Sequence, residues 1–340
     1  MAMIIAASVS SFTASLSHGD LLVADRLTNS VYRYGDDGSF KNVVVSNTII
    51  KEPTSIAVSA DGTQFYVTTS NGTTNKVVRY DYDSGKGTAG NETVFASLGG
   101  FSFPSSVVIS PDGNRVFVSD LNAMGISQYN LDGSSAGPTL GAGTSLAGLA
   151  FAPSGELLAA EFADQFFQGS IRKSDGTFTT LGSFIDSTGA LAGASSLIVH
   201  GNDLYATGMF ASSLLKYNID PVTGIPTLDT TFGNGGAVDN LPFPQGLALS
   251  ADKQSLLVGI LGVANGQGRV DQYSFDGDLM GTFLTPGGPG GLEEATAIAY
   301  VKAVPEPGSI LLFTLAGTSF AAAARRRKMR GKKNADSSAA

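Results

Sequence analysis

The sequence predicts an all-β chain: a six-bladed β-propeller whose last strand joins the first blade, followed by one C-terminal transmembrane helix. Three observations predict it. A unit of short strands recurs along most of the chain, its first and last copies are complementary halves, and an apolar run ending in arginines stands apart at the C-terminus.

The unit is clearest between Phe103 and Gly133. Val107 to Ser110 is an apolar run, Pro111-Asp112-Gly113-Asn114 a tight turn, and Arg115 to Ser119 a second run. Ile126 to Asn130 is a third, ended by the Asp132-Gly133 turn. The first run starts at Pro53, Pro104, Leu146, Ala194, Pro244 and Glu294, in steps of 51, 42, 48, 50 and 50 residues. A period of about 40–50 residues holding several short strands marks propeller blades, each of which buries its faces only against its neighbours. The third run checks the register independently. Arg33-Tyr34, Arg79-Tyr80, Gln128-Tyr129, Arg172-Lys173, Lys216-Tyr217 and Gln272-Tyr273 each follow a β-forming stretch and precede a turn.

Closure follows from the two ends of the repeat. Gly19 to Asp25 reads as a second strand with no first strand before it, and Glu294 to Tyr300 as a first strand with no second after it. Joined, they complete one blade and leave no open sheet edge at the seam. The composition agrees with a sheet-rich core: 42% hydrophobic residues, 15% charged and 43 glycines in 340 residues. Cysteine is absent, which excludes disulfides, thiol nucleophiles and cysteine metal ligands. The net charge of −8 conceals an asymmetry, because seven of the 21 basic residues lie between Arg325 and Lys333. Without that tail 14 basic residues face 27 acidic ones, a body unsuited to binding nucleic acid through phosphates.

In chain order, residues 1–18 are mildly apolar and end in small residues, as the back half of a secretory signal peptide does, without its basic leading region. The alternative is a strand of its own. Residues 19–302 are the blades, with Pro286-Gly287-Gly288-Pro289-Gly290-Gly291 as the connection to the closing strand. Residues 303–333 form a separate module. Pro305-Glu306-Pro307 precedes an uncharged run from Gly308 to Ala324, then Arg325, Arg326, Arg327 and Lys328. Seventeen residues of helix span about 25 Å, close to the roughly 30 Å hydrocarbon core, and the basic flank places the blades on the far side of the membrane. Residues 334–340 read as a disordered tail.

The module from Val304 to about Arg330 resembles the PEP-CTERM sorting signal of Gram-negative bacteria that make exopolysaccharide. That resemblance implies export across the inner membrane, transient anchoring by the apolar segment and recognition of Pro305, Glu306 and Pro307 by an exosortase-type membrane protease. Release to the cell surface or matrix follows, with exopolysaccharide or surface proteins as partners. The blades, with runs such as Leu22-Val23-Ala24-Asp25 and Ser110-Pro111-Asp112-Gly113, resemble NHL-type and gluconolactonase-like six-bladed propellers. Gluconolactonase-like enzymes hold a divalent metal in the channel on acidic and Asn ligands and use a carboxylate as base.

The residues offer little of that chemistry. Where inner strands begin, the chain has Thr54-Ser55, Ser105-Ser106, Ala147-Gly148, Ser195-Ser196, Gln245-Gly246 and Ala295-Thr296, with carboxylates only at Glu293 and Glu294. A hard cation wanting 6–8 oxygens is poorly served by one blade. Asp25, Asp120 and Glu161 follow second strands and are the candidate channel-mouth carboxylates; alternatively they accept bonds from nearby backbone N–H groups. The histidines are His18 and His200 alone, which disfavours a histidine metal cluster or triad. No nucleophile elbow or Walker loop occurs. The expectation is therefore an exported interaction module without cofactor, metal or catalysis. A metal-dependent lactonase-like hydrolase and a carbohydrate-binding matrix protein are the alternatives.

Overall fold

The second strands explain the architecture. Asp20–Asp25 is buried at every residue and Leu256–Ile260 likewise, so neither face of these strands meets water. Such strands need a layer on both sides, and alternation sends successive side chains to opposite layers. Leu22 and Ala24 pack with Ile56, Phe65 and Val67, whereas Leu21 and Val23 pack with Leu257, Val270 and Leu284. The core accordingly consists of six apolar layers, one between each pair of adjacent blades.

A computed structural model describes residues 19–302 apart from 47–49, 72–74, 101, 123–124, 164–168, 185–189 and 265. The described residues form six antiparallel sheets around a channel. From channel outward the first blade is Ala295–Val301, Asp20–Asp25, Ser30–Tyr34 and Phe40–Ser46, and the second Pro53–Val58, Gln64–Thr69, Lys76–Asp83 and Thr88–Ser97. The third is Pro104–Ile109, Arg115–Asp120 and Gly125–Asn130, and the fourth Ser145–Phe151, Leu157–Ala163, Ser170–Ser174 and Leu181–Phe184. The fifth is Ala194–His200, Asp203–Gly208, Ser213–Ile219 and Pro226–Leu228, with Ala237–Val238 also on the third strand. The sixth is Pro244–Leu249, Leu256–Ile260, Arg269–Tyr273 and Leu279–Leu284.

The chain closes as a ring. Ala295–Val301 runs antiparallel to Asp20–Asp25, with Leu22 opposite Ala299 and Val23 opposite Ile298. The repeated tyrosine fills the layers: Tyr34, Tyr80, Tyr217 and Tyr273 are all buried. In the fourth blade its place is held by Lys173, whose Nζ lies 3.3 Å from Glu156 Oε1. The third blade departs from the repeat. Its fourth strand is replaced by an irregular segment bridging to Ile126 through Leu140 and to Tyr129 through Ser135.

No helix long and apolar enough to cross a membrane occurs among the described residues. The apolar run 308–324, the Pro-Glu-Pro stretch, the basic cluster and residues 1–18 lie outside them.

Candidate functional site

All six inner strands begin at one end of the channel, and their first residues build its mouth. Each shifts register against its neighbour within its first few residues, for example between Pro53 and Ser55, Pro104 and Ser106, and Ala194 and Ser196. These bulges turn the opening residues away from the ladder toward the next blade. Thr296 Oγ1 donates to Pro53 O at 2.8 Å, Thr54 Oγ1 to Pro104 O at 2.7 Å, and Ser195 Oγ to Pro244 O at 3.0 Å. Between the third and fourth blades Ser119 Oγ donates to Ala147 O. Between the fourth and fifth the backbones close directly: a Cβ on Gly148 would sit 2.5 Å from Ser196 Cα. The small and hydroxylated positions of the sequence are thus seam closures.

Corner loops raise a wall above this ring. The residue after a second strand donates to the residue before its inner strand: Leu121 N to Phe103 O at 3.0 Å, and Leu261 N to Phe243 O at 3.2 Å. The corners hold Phe103 and Phe243 at the mouth, Phe243 at φ 54°, a region that disfavours bulky side chains. Phe162 of the fourth blade joins them, edge-on to Phe210 of the fifth with ring centres 5.1 Å apart. The first blade, next to the sixth and across the ring from the fourth, adds an ion pair, Arg26 Nε to Glu294 Oε2 at 2.8 Å, with side-chain exposures of 37% and 10%. The mouth is a cavity of about 540 Å³ floored by Ser105, Ser195 and Gln245. Below it the channel continues as a narrower space of about 300 Å³ between the inner strands.

The three candidate carboxylates do not line this mouth; each directly precedes a lining residue, Arg26, Leu121 or Phe162, and is bound to its own blade. Asp25 is fully buried; its Oδ1 accepts from Thr28 N at 3.0 Å and its Oδ2 from Glu293 N at 2.6 Å and Glu294 N at 3.3 Å. Asp120 accepts from Phe103 N at 3.0 Å and Asn122 N at 2.7 Å. Glu161 is gripped by Arg172, Nε to Oε2 and Nη2 to Oε1 both at 2.9 Å, and accepts from Ser170 Oγ. The fold does not bring the three together. Among the described residues no group of three or more His, Cys, Asp or Glu is placed to hold a metal. Among the described residues Glu294 is the one carboxylate lining the cavity, and Arg26 holds it. These residues do not fit the divalent cation of gluconolactonase-like enzymes.

Sequence reasoning missed Arg26 and the phenylalanine wall. Arg26 lies 268 residues from its partner in sequence, so only ring closure joins them. A readable signal existed for the wall: Phe103 and Phe243 both directly precede the proline that opens an inner strand.

Residues 17–137 match the family model described as the SMP-30/Gluconolactonase/LRE-like region. Residues 303–328 match the PEP-CTERM protein-sorting motif, which marks a chain for export and membrane-associated sorting. No curated protein matches the chain. Among solved structures, the periplasmic gluconolactonase of Pseudomonas aeruginosa is 17% identical, with 85% of this chain and 100% of that one covered at a TM-score of 0.58. A chain of a nidogen/laminin complex is 15% identical, covering 83% and 98% at 0.60. The PQQ-bound aldose sugar dehydrogenase of Streptomyces coelicolor is 15% identical, covering 74% and 90% at 0.57. At these identities the likeness is one of fold.

Proposed function

We propose that this protein is an exported, non-catalytic binding module, sorted toward the cell surface or matrix through its C-terminal signal, with the channel mouth as its binding site. The observation that carries the reading is the mouth: a largely apolar cup whose lining Glu294 is held by Arg26 and whose acidic neighbours, Asp25, Asp120 and Glu161, are engaged in holding their own blades. A general base needs a carboxylate free to reach the substrate's proton.

Delivery rests on the tail. The ring ends at Lys302, and the motif 303–328 begins at the next residue. Within it Pro305 and Pro307 disfavour helix and lack backbone donors, which suits an extended protease substrate. The 308–324 run then serves as a transient anchor, and Arg325, Arg326, Arg327 and Lys328 fix its orientation. In a host with the matching exosortase-type protease, the wild type is expected to lose its tail and leave the inner membrane. Changing Pro305, Glu306 and Pro307 together to alanine is expected to leave full-length protein there. Processing and release of the triple variant like wild type would sink the sorting role.

The match of residues 17–137 to the gluconolactonase-like model favours a second reading, a lactonase-like hydrolase. That reading requires a cation bound by the native state, and such a ligand raises the melting temperature. A calcium-dependent rise abolished by Asp120→Ala or Glu161→Ala would revive that reading.

A further inference from the structure

We propose that the channel mouth binds a neutral pyranose, as a short oligosaccharide or the end of a glycan, and holds it without cleaving it. This rests on the reading of the mouth as the protein's binding site. Size decides first between classes of partner. A cavity of about 540 Å³ falls within the roughly 300–1,000 Å³ of small-ligand sites. A docked protein instead covers about 800 Å² of each partner's surface.

The chemistry of the cup is divided in the way a pyranose is. Phe103 and Phe162, on the neighbouring third and fourth blades, offer an apolar surface for the C–H face of a sugar ring, and Phe243 on the sixth blade adds to it. Across the ring from the fourth blade, Arg26 offers donors and Glu294 an acceptor while the two stay joined through Nε. Every sugar hydroxyl both donates and accepts, so adjacent hydroxyls satisfy the pair together. An anionic ligand would meet the charge of Glu294, and a cationic one that of Arg26. A wholly apolar ligand would strip water from the pair and the polar floor without replacing its hydrogen bonds, which is unfavourable. Gln245 adds an amide at the floor.

The same geometry argues against cleavage. Glycoside hydrolysis uses two carboxyl groups about 5–9.5 Å apart across the scissile bond. Among the described residues Glu294 is the one carboxylate lining the cavity, and the adjacent Asp25 is fully buried with both oxygens accepting backbone N–H groups.

The test is calorimetric titration of the purified full chain in detergent with neutral gluco-, manno- and galacto-configured trisaccharides. Phe162→Ala and Gln245→Ala are run beside wild type, with circular dichroism melts showing that each variant is folded. Expected is saturable binding of at least one trisaccharide, weakened about tenfold or more in both variants, with no reducing sugar released. No binding across the panel overturns the sugar assignment. If the neutral dye Nile red then binds the wild type but not Phe162→Ala, the mouth remains a site and the sugar assignment alone falls. Sugar binding equally strong in wild type and both variants overturns the mouth itself, and release of reducing sugar overturns the non-catalytic part.

Discussion

Asp25 illustrates how the ring uses its carboxylates. The chain turns sharply at the mouth, leaving the N–H groups of Thr28, Glu293 and Glu294 outside any strand ladder, and Asp25 accepts from all three. A buried donor left without a partner costs roughly 1–3 kcal/mol. Asp25→Ala is therefore expected to lower unfolding stability by about 2–5 kcal/mol, since relaxation and water rescue part of the loss of three acceptor contacts. Asp25→Asn keeps one accepting oxygen and should fall between that variant and wild type. The check is the urea midpoint at unchanged m-value. Midpoints for both variants equal to wild type would show that Asp25 is not a clasp and return it to the candidates for chemistry. Asp120, with two such N–H groups, should show the same order with smaller effects.

At the scale of the element, the hairpins repeat one device. In the first turns of the second, third and sixth blades a serine hydroxyl donates to an aspartate two residues on: Ser59 to Asp61 at 2.6 Å, Ser110 to Asp112 at 2.5 Å, and Ser250 to Asp252 at 2.6 Å. The same serine accepts from the N–H that opens the next strand or directly precedes it, as Gln64, Arg115 and Ser255 show. The serine hydrogen bond first, and then the backbone bonds, hold all three carboxyls below their ordinary range. A depressed carboxyl lends stability that is present above the unfolded value of about 4 and lost as pH falls through the folded one. The tyrosines carry the opposite sign. Burial is the leading cause that pushes Tyr273 and Tyr300 up to about 12, and Tyr34, Tyr80, Tyr82 and Tyr205 move in the same direction. Their contribution is complete below about pH 10 and is lost as pH rises toward the folded values. The melting temperature should thus fall below about pH 4 and again above about pH 10. Tyrosinate absorbance appearing near pH 10 before unfolding would contradict the second limb. These local devices are why blades, turns and period were legible in the sequence. The irregular edge of the third blade was not, because Ser135 and Leu140 bridge to it without a strand pattern of their own. Neither was the mouth, whose parts come from corner loops of five blades and meet only in the ring. The hydroxyls of Thr54, Ser195 and Thr296 were visible as small polar positions, but their acceptors lie on the next blade.

For the whole molecule the closing strand decides whether there is a ring at all. Ala295–Val301 supplies the innermost strand of the first blade, buries Ala295, Ile298 and Val301, and carries the Thr296 link to Pro53. It also brings the two N–H groups that Asp25 holds. Burying one large aliphatic side chain contributes about 1.5–3 kcal/mol, so Ile298 and Val301 alone reach roughly 3–6 kcal/mol, against a total domain stability of about 5–15 kcal/mol. The lost hydrogen bonds, the opened edge of the first blade and the uncovered apolar face of the sixth add to this. Truncation after Gly290 should therefore abolish the cooperative melt of the entire propeller, while truncation after Lys302 should leave the melting temperature unchanged. A synthetic peptide covering Gly291 to Lys302, added in trans to the shorter chain, should restore a cooperative transition with a midpoint that rises with peptide concentration, because it binds only the folded ring. An unchanged melting temperature for the chain ending at Gly290 would refute closure by this strand. Failure of the peptide to restore the melt would show instead that the ring needs its last strand covalently attached.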